Sequence, residues 1–348
     1  MLKLLKYIFL MGLLVGGIFL LNGNIDLVED DPKAFTIAFY NVENLFDTIN
    51  DPKSNDDKFL PESKAAWTAK RYIHKVKNLS KVINELGDSN GPEILGLSEV
   101  ENSSVLKDLI SSEVLRNKEY QIIQFDSKDK RGIDVALLYK KNSFAPYSSI
   151  PKTLIIPARN SFKTRDILLV SGIIGKDTVH LLLNHWPSRL GGQEKSEKNR
   201  IMVAKFARSI LDSLFKRSSN ANIIVMGDFN DEPSDKSITE QLLAKGDLEA
   251  CKQNDLFNPF YEIMKEGGGT YKYEGQWDLL DQVMISKGVI QKNKGIKYKS
   301  NSAGIYDPIW MYYRGSTKHG PYRTYVGSKY YGGYSDHFPV YIQLKPQL

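Results

Sequence analysis

Two long amphipathic segments, set among short apolar runs, limit most tightly what this chain can fold into. In the first, from about Trp67 to Leu86, Tyr72, Val76, Leu79, Ile83 and Leu86 recur at helical spacing, and Gly87 supplies a stop. In the second, from about Glu194 to Phe215, Val203, Ala207, Ile210, Leu211 and Leu214 share one face. A helix with a single apolar stripe must lay it on something, and the intervening runs supply strands. Phe35 to Asn41, Glu93 to Glu99, Tyr120 to Phe125 and Asp134 to Tyr139 are such runs in the first half. Arg165 to Ser171, Thr178 to Asn184, Asn222 to Gly227, Gln282 to Ser286 and Phe338 to Leu344 follow in the second. Asn102 is placed to cap a helix carrying Val105, Leu106, Leu109 and Ile110, and Ser234 to Leu243 reads as one more helix. The halves share this pattern without a visible sequence repeat. The expectation is an α/β (α+β) protein with two sheets packed together, helices outside, and one domain from about residue 33 to 346.

Bulk properties narrow the function classes. The chain of 348 residues has a net charge of +6, which suits acidic partners such as nucleic acid, phosphorylated small molecules or anionic headgroups, and equally suits plain solubility. Cys251 is the only cysteine, so neither an intrachain disulfide nor a thiolate metal cluster can form. Lys3 and Lys6 precede an uncharged apolar run from Tyr7 to Leu21, followed by Asn22, Gly23 and Asn24. Residues 1–24 therefore read as a signal peptide or an uncleaved membrane anchor, residues 25–32 as a linker, and export of the body is expected in both cases.

The polar residues that stand out share one position, at or just past the end of an apolar strand. Asn41 and Glu43 follow the first strand, Glu99 ends the second, and His185 follows Leu181 to Asn184. Asp228 and Asn230 follow Ile223 to Gly227, and Asp336 and His337 precede the last strand. Loops at strand ends are where catalytic groups collect on a rigid scaffold. Any one of these is on its own more often a turn or cap residue. Five such clusters, with matched carboxylates, amides and imidazoles, argue for a site. Oxygen ligands from Glu, Asp and Asn suit a hard cation, Mg²⁺ or Mn²⁺, and the sequence carries no paired-cysteine or His-Glu-x-x-His zinc signature. A Walker loop, a Rossmann glycine fingerprint and a Gly-x-Ser-x-Gly elbow are also missing, and Gly267 to Thr270 reads as a turn before a strand.

Six blocks occur in order: Phe39 to Asn44, Leu97 to Val100, Asn184 to Pro187, Gly227 to Asn230, Leu280 to Val283 and Ser335 to Val340. The ordered set resembles the endonuclease/exonuclease/phosphatase superfamily, which includes deoxyribonuclease I and exonuclease III-like enzymes. The resemblance spans about Phe35 to Leu344 and implies a four-layer αββα sandwich of two mixed sheets. It implies Glu99 as principal metal ligand, with Asn41, Glu43 and Asp336 near the ion. Asp228 resembles the residue that orients or deprotonates the attacking water, and Asn230 the amide on a phosphate oxygen. His337 paired with Asp281 resembles the histidine on the scissile phosphate, with Asp278 as a rival to Asp281. His185 and Arg165 resemble further transition-state contacts.

The function so implied is an exported phosphodiesterase, a nuclease first, with nucleic acid as partner and the chain acting as a monomer. A phospholipid or sphingomyelin phosphodiesterase is the nearest alternative. An inositol-phosphate phosphatase is disfavoured for want of a Trp-Cys-Asp-Arg-like block. A dead phosphate-binding module is countered by the intact Glu99, Asp228, Asn230, Asp336 and His337. Between Ile305 and Tyr334 tyrosines alternate with cations, a pattern that suits base stacking or a loop packed on itself.

Overall fold

The computed structural model describes residues 34–347, apart from 88–89, 157–161, 292–294 and 314–319. The N-terminal signal or anchor and the linker expected over residues 1–32 lie outside the described residues. Among the described residues, no helix is long and apolar enough to cross a membrane.

The first half supplies strands β1 (Phe35–Leu45), β2 (Ile94–Val100), β3 (Tyr120–Gln124) and β4 (Asp134–Lys140), with helices α1 (Ala69–Glu85) and α2 (Ser103–Ile110). The second supplies β5 (Ala145–Lys152), β6 (Ile167–Ile174), β7 (Asp177–His185) and β8 (Asn222–Asp228), with helix α3 (Gln193–Arg217) between the last two. Short strands β9 (Ala244–Lys245) and β10 (Leu256–Phe257) precede a small hairpin, β11 (Tyr271–Tyr273) and β12 (Gln276–Asp278). Then come β13 (Asp281–Ser286), β14 (Gly295–Tyr298), β15 (Gly304–Ile305), a second hairpin of β16 (Tyr325–Val326) and β17 (Lys329–Tyr330), and finally β18 (Val340–Gln347).

Two large mixed sheets result. One runs β14-β18-β1-β2-β4-β3 with β15 also on β18, and the other runs β5-β6-β7-β8-β13-β10-β9. Strand alternation sends each side chain to one of two apolar layers. In β1, Ile37 and Phe39 join Leu181, Leu183, Ile224 and Met226 between the sheets, whereas Ala38, Tyr40 and Val42 meet Val76, Leu79 and Ile83 of α1. In β8, Ile224 and Met226 face the inter-sheet core, while Ile223 and Val225 meet Val203, Ala207 and Leu211 of α3. Both sheets are thus buried on both faces, which makes the four-layer αββα sandwich. Gly96 leaves room for side chains between the sheets: a β-carbon there would lie 2.8 Å from Met226 Sδ and from Phe39 Cδ2.

Some local expectations change. The helix expected over Ser234 to Leu243 is only a single wide turn over Ser237–Gln241, after which Leu243 takes a left-handed φ of 59° and the chain enters β9. Strand β5 adds to the expected set, because Pro146 and Pro151 interrupt its β pattern. It is an edge strand, where proline is tolerated. Among its described residues, the tyrosine-rich segment packs ring on ring and lies against α1. Lys75 Nζ donates to Thr324 Oγ1 and to Tyr334 O, each at 2.7 Å, and Asn78 Nδ2 donates to Gly332 O and Gly333 O. Lys81 lies 4.1 Å over the Trp310 ring.

Candidate active site

Strand direction assembles the site. β1 and β2 are parallel, as are β7 and β8, so Asn41, Glu99, His185 and Asp228 all come to the C-terminal ends of neighbouring strands. β13 runs antiparallel to β8 with Asp281 opposite Asp228, and β18 runs antiparallel to β1, so Asp281 and the Ser335 to His337 loop start where the others finish. The two rims are stitched together: Asn41 Nδ2 of one sheet donates to Asp228 Oδ2 of the other at 3.0 Å. Ser335 Oγ donates to Asn41 O at 2.6 Å and accepts from His337 N at 3.2 Å, fixing the last loop against β1. Glu43, Asn44, Glu99 and Asn230 all take left-handed backbone, with φ between 51° and 63°, a conformation non-glycine residues seldom adopt. Such backbone gathers where function rather than propensity sets the chain path.

His337 and Asp281 form the tightest pair, with Nδ1 and Oδ2 2.6 Å apart. Burial alone would push this imidazole down, but the Asp281 carboxylate, aided by Asp228 and Asp336, carries it up to about 10. His337 is therefore an imidazolium at neutral pH. Asp278, the rival carboxylate, instead pairs with Arg189 at 2.9 Å. Asp228 is buried and is pushed up to about 7 by desolvation and by repulsion from Asp281, against the pull of His337 and its hydrogen bonds. Asn230 N donates to Asp228 Oδ1 at 2.9 Å, while its side-chain amide donates to Trp186 O at 3.1 Å. His185 is held well below the ordinary histidine value by burial and by Arg165, Arg131 and His337. It is neutral, its Nε2 3.6 Å from Asp228 Oδ2 and 3.9 Å from Glu99 Oε1, and its Nδ1 has no hydrogen-bond partner among the described residues.

The expected metal ligands divide. Glu99 Oε2 accepts from Asn44 N at 3.0 Å, whereas Oε1 takes no hydrogen bond among the described residues and lies 3.9 Å from both His185 Nε2 and Arg131 Nη1. Asp336 is half-buried, next in sequence to His337. Glu43, by contrast, is spoken for: Thr324 N donates to its Oε2 at 2.6 Å, Tyr325 N to its Oε1 at 3.3 Å, and Lys75 Nζ stands 3.8 Å away. Burial and Asp336 push its carboxyl up to about 7. Arg165 is likewise committed. Its Nε donates to His185 O at 3.2 Å, its Nη2 to Trp186 O, and its Nη1 to Asp129 Oδ2 at 3.2 Å. The guanidinium braces the His185-Trp186 backbone, so the structure does not bring Arg165 to the cleft as a free donor.

Several site residues lie outside the set expected from the sequence. Arg131, with its side chain 48% exposed, is the cation that approaches Glu99. It sits in a Lys128 to Gly132 turn, where a cation signals nothing by itself. Lys75 occupies what reads as a polar position of α1 yet is buried against Glu43. Thr270 Oγ1 accepts from Leu280 N and Asp281 N, each at 3.2 Å, and so sets the start of β13. The Tyr271 ring tilts against His337 at 4.9 Å, and the Arg323 guanidinium lies 5.8 Å over that tyrosine ring. Burial would lower Arg323, but Asp336, Tyr271 and Glu43 outweigh it, so it stays charged.

A two-sheet sandwich whose facing strand ends converge carboxylates, an amide and an acid-paired histidine is the scaffold of metal-dependent phosphoesterases. A sequence profile of the Endonuclease/Exonuclease/phosphatase family matches residues 36–346, and the chain belongs to that family. No curated protein sequence matches it. Among solved structures it is similar to D. rerio TDP2 humanized by 14 mutations, at 13% identity and a TM-score of 0.55, covering 90% of this chain and 99% of that one. The human nocturnin catalytic domain with bound sulfate gives 15% identity and a TM-score of 0.54 over 90% and 94% of the two chains. The Bacteroides thetaiotaomicron mannosyl-6-phosphatase gives 17% and 0.53 over 89% and 99%. At these identities the likeness speaks for the fold.

Proposed function

We propose that the chain is an exported, divalent-metal-dependent phosphodiesterase that cleaves nucleic acid by in-line attack of water. The observation carrying this reading is one group of three: Asp228, Asp281 and His337 place ligand-type atoms within 4.8 Å of one another. Within it, Asp281 keeps His337 cationic, and Asp228 holds a proton affinity near neutrality. A fixed cation beside a carboxylate that titrates near 7 is what a phosphoester and its attacking water require.

The same three groups have the chemistry to grip an ion, but the His337 Nδ1 is already bonded to Asp281, so we assign them to the phosphate and the water. The donors that fit a hard divalent cation are Glu99, whose Oε1 is free of hydrogen bonds among the described residues, with the Asn41 amide oxygen and Asp336. When bound, such an ion supplies Lewis acidity and neutralises phosphate charge. The chain's own residues do the rest. His337 holds a non-bridging oxygen, and Asp228 orients the water and takes one proton from it. Water adds to phosphorus as the opposite P–O bond breaks, and the departing oxygen is protonated by solvent. His185, kept neutral, donates a hydrogen bond without adding charge beside the cation.

Nucleic acid is favoured as substrate by the net charge of +6 and by the cations that border the cleft, Arg131 and Arg323. Export rests on Lys3, Lys6 and the apolar run from Tyr7 to Leu21. The test is hydrolysis of single- and double-stranded DNA, RNA, sphingomyelin and inositol phosphates, each with Mg²⁺, Mn²⁺ or chelator. Metal-dependent cleavage of DNA or RNA supports the reading. Cleavage confined to the lipid or to the monoesters overturns its substrate.

A further inference from the structure

Beside the catalytic cluster lies a cavity of about 550 Å³ whose lining, among the described residues, carries cations and no carboxylate: Arg131, Lys163, Arg165, Lys195 and Lys198. It shares walls with the site. Arg131 lines it while standing 3.9 Å from Glu99, and Pro187 and Ser188 on its border follow directly from His185 and Trp186. Asp129 offsets part of this charge, since it pairs with Arg165 at 3.2 Å and with Arg131 at 3.7 Å. Lys163, Lys195 and Lys198 are exposed and have no carboxylate partner among the described residues. Three lysines without a carboxylate are thereby left around one concavity, an arrangement that costs self-repulsion unless an anion is the usual occupant.

A second observation points the same way. Thr164 lines the cavity, is 7% exposed, and its Oγ1 has no hydrogen-bond partner among the described residues. A buried hydroxyl without a partner is costly, and this one, its oxygen closed to solvent, gains an acceptor only where the cavity wall opens it toward a bound anion. The first turn of α3 also borders it, and Gly192, the residue before that helix, brings no side-chain cap to the leading amides. Those amides add to the positive field.

We propose that this cavity is a subsite for a second phosphate, one that lies along the substrate chain from the scissile phosphate on the Glu99 and His185 side. The inference rests on the nucleic-acid reading above and sharpens it: the preferred substrate is a polyanion at least two phosphates long, held by Lys163, Lys195, Lys198, Arg131 and the Thr164 hydroxyl. A single isolated phosphoester leaves the subsite empty.

The experiment measures binding, so it does not depend on turnover. A fluorescein-labelled single-stranded oligonucleotide is titrated with the full chain in chelator, by anisotropy, across a range of salt. Without metal, affinity is carried by fixed cations. Loss of the one phosphate held there in Lys195→Ala/Lys198→Ala flattens the salt dependence by about 0.7 logarithmic units per decade, and weakens binding about 5-fold near 0.1 M salt. Thr164→Val, which keeps the shape and removes the hydroxyl, weakens it further without changing the salt slope. Equal affinity and equal slope in wild type and the lysine double variant overturn the proposal. Weaker binding with an unchanged slope also overturns it, because a lost charge contact must alter the slope. Hydrolysis of bis-p-nitrophenyl phosphate by the same wild-type preparation separates the two claims. If the small diester is cut and the lysine variant binds the oligonucleotide normally, the subsite fails alone; if the diester is not cut, the hydrolase reading fails whatever the anisotropy shows.

Discussion

Asp281→Asn separates a charged His337 from a neutral one with little change of shape. In the wild type the pair is 2.6 Å apart, and burial, which lowers an imidazole, is outweighed by Asp281 so that His337 rises to about 10. Asparagine keeps a hydrogen-bonding group there and removes the charge, so His337 returns toward its ordinary value of 6.5. Near pH 8 the charged fraction then drops from almost complete to ~0.03, which costs about 30-fold in rate if the imidazolium is the active form. Asp228 moves as well, because repulsion from Asp281 is second only to burial in raising it to about 7. Both limbs of the pH profile should therefore shift to acid in the variant.

Stability follows the same linkage. The folded pKa of His337 lies above its unfolded value, so the pair's contribution is complete below about 6.5 and fades as pH rises through about 10. Asp281→Asn should lack that alkaline fade. The assay is kcat/KM for bis-p-nitrophenyl phosphate against pH with saturating Mg²⁺, together with NMR titration of the His337 ring. An alkaline limb within twofold of wild type across the range would refute the role given to the Asp281 charge.

Other substitutions test neighbouring parts of the account. Lys75→Met leaves Glu43 buried without its cation and should destabilise the fold by ~3–5 kcal/mol, read by urea denaturation. Gly96→Ala forces a methyl against Met226 and Phe39 where the sheets meet, at a cost of about 1–3 kcal/mol in the same assay, with metal dependence retained. Chelation should abolish hydrolysis and Mg²⁺ or Mn²⁺ restore it; rescue by zinc alone would contradict the oxygen-ligand assignment. Full-length protein recovered only in the cytosol of its host would end the export reading.

Much of this architecture can be read before folding, because α1, α3 and the central strands are buried on faces that repeat at 3.6 or 2 residues. Ile37 and Phe39 against Ala38 and Tyr40 already encode a strand covered on both sides. The places of Asn41, Glu99, His185, Asp228 and His337 follow as well, since each is a polar group at the edge of an apolar run, while Asp281 comes only from the resemblance of its block to the family. What escapes is whatever depends on a distant partner. Arg165 sits at a strand end like the rest, but only the fold shows Asp129 and two backbone carbonyls occupying its guanidinium. Glu43 is equally a strand-end carboxylate, and its commitment to Thr324, Tyr325 and Lys75 comes from residues far along the chain. The segment between Ile305 and Tyr334 gives no sequence sign that Lys75, Asn78 and Lys81 of helix α1 lie against its described residues. Edge elements such as β5 are faint because half-exposed strands with proline lack a sharp alternation.

The central claim is that this cluster hydrolyses phosphoesters with a divalent ion. The measurement that tests it most directly is turnover of bis-p-nitrophenyl phosphate by wild type and Asp228→Asn, with Mg²⁺, Mn²⁺ or chelator. The substituted amide conserves the side-chain shape beside Asn41 and Asn230 while removing the group that takes the proton. The account predicts metal-dependent turnover in the wild type and a loss of about 10²–10⁴-fold in the variant, with folding intact. Equal turnover in the two proteins, or turnover indifferent to chelator, would contradict it.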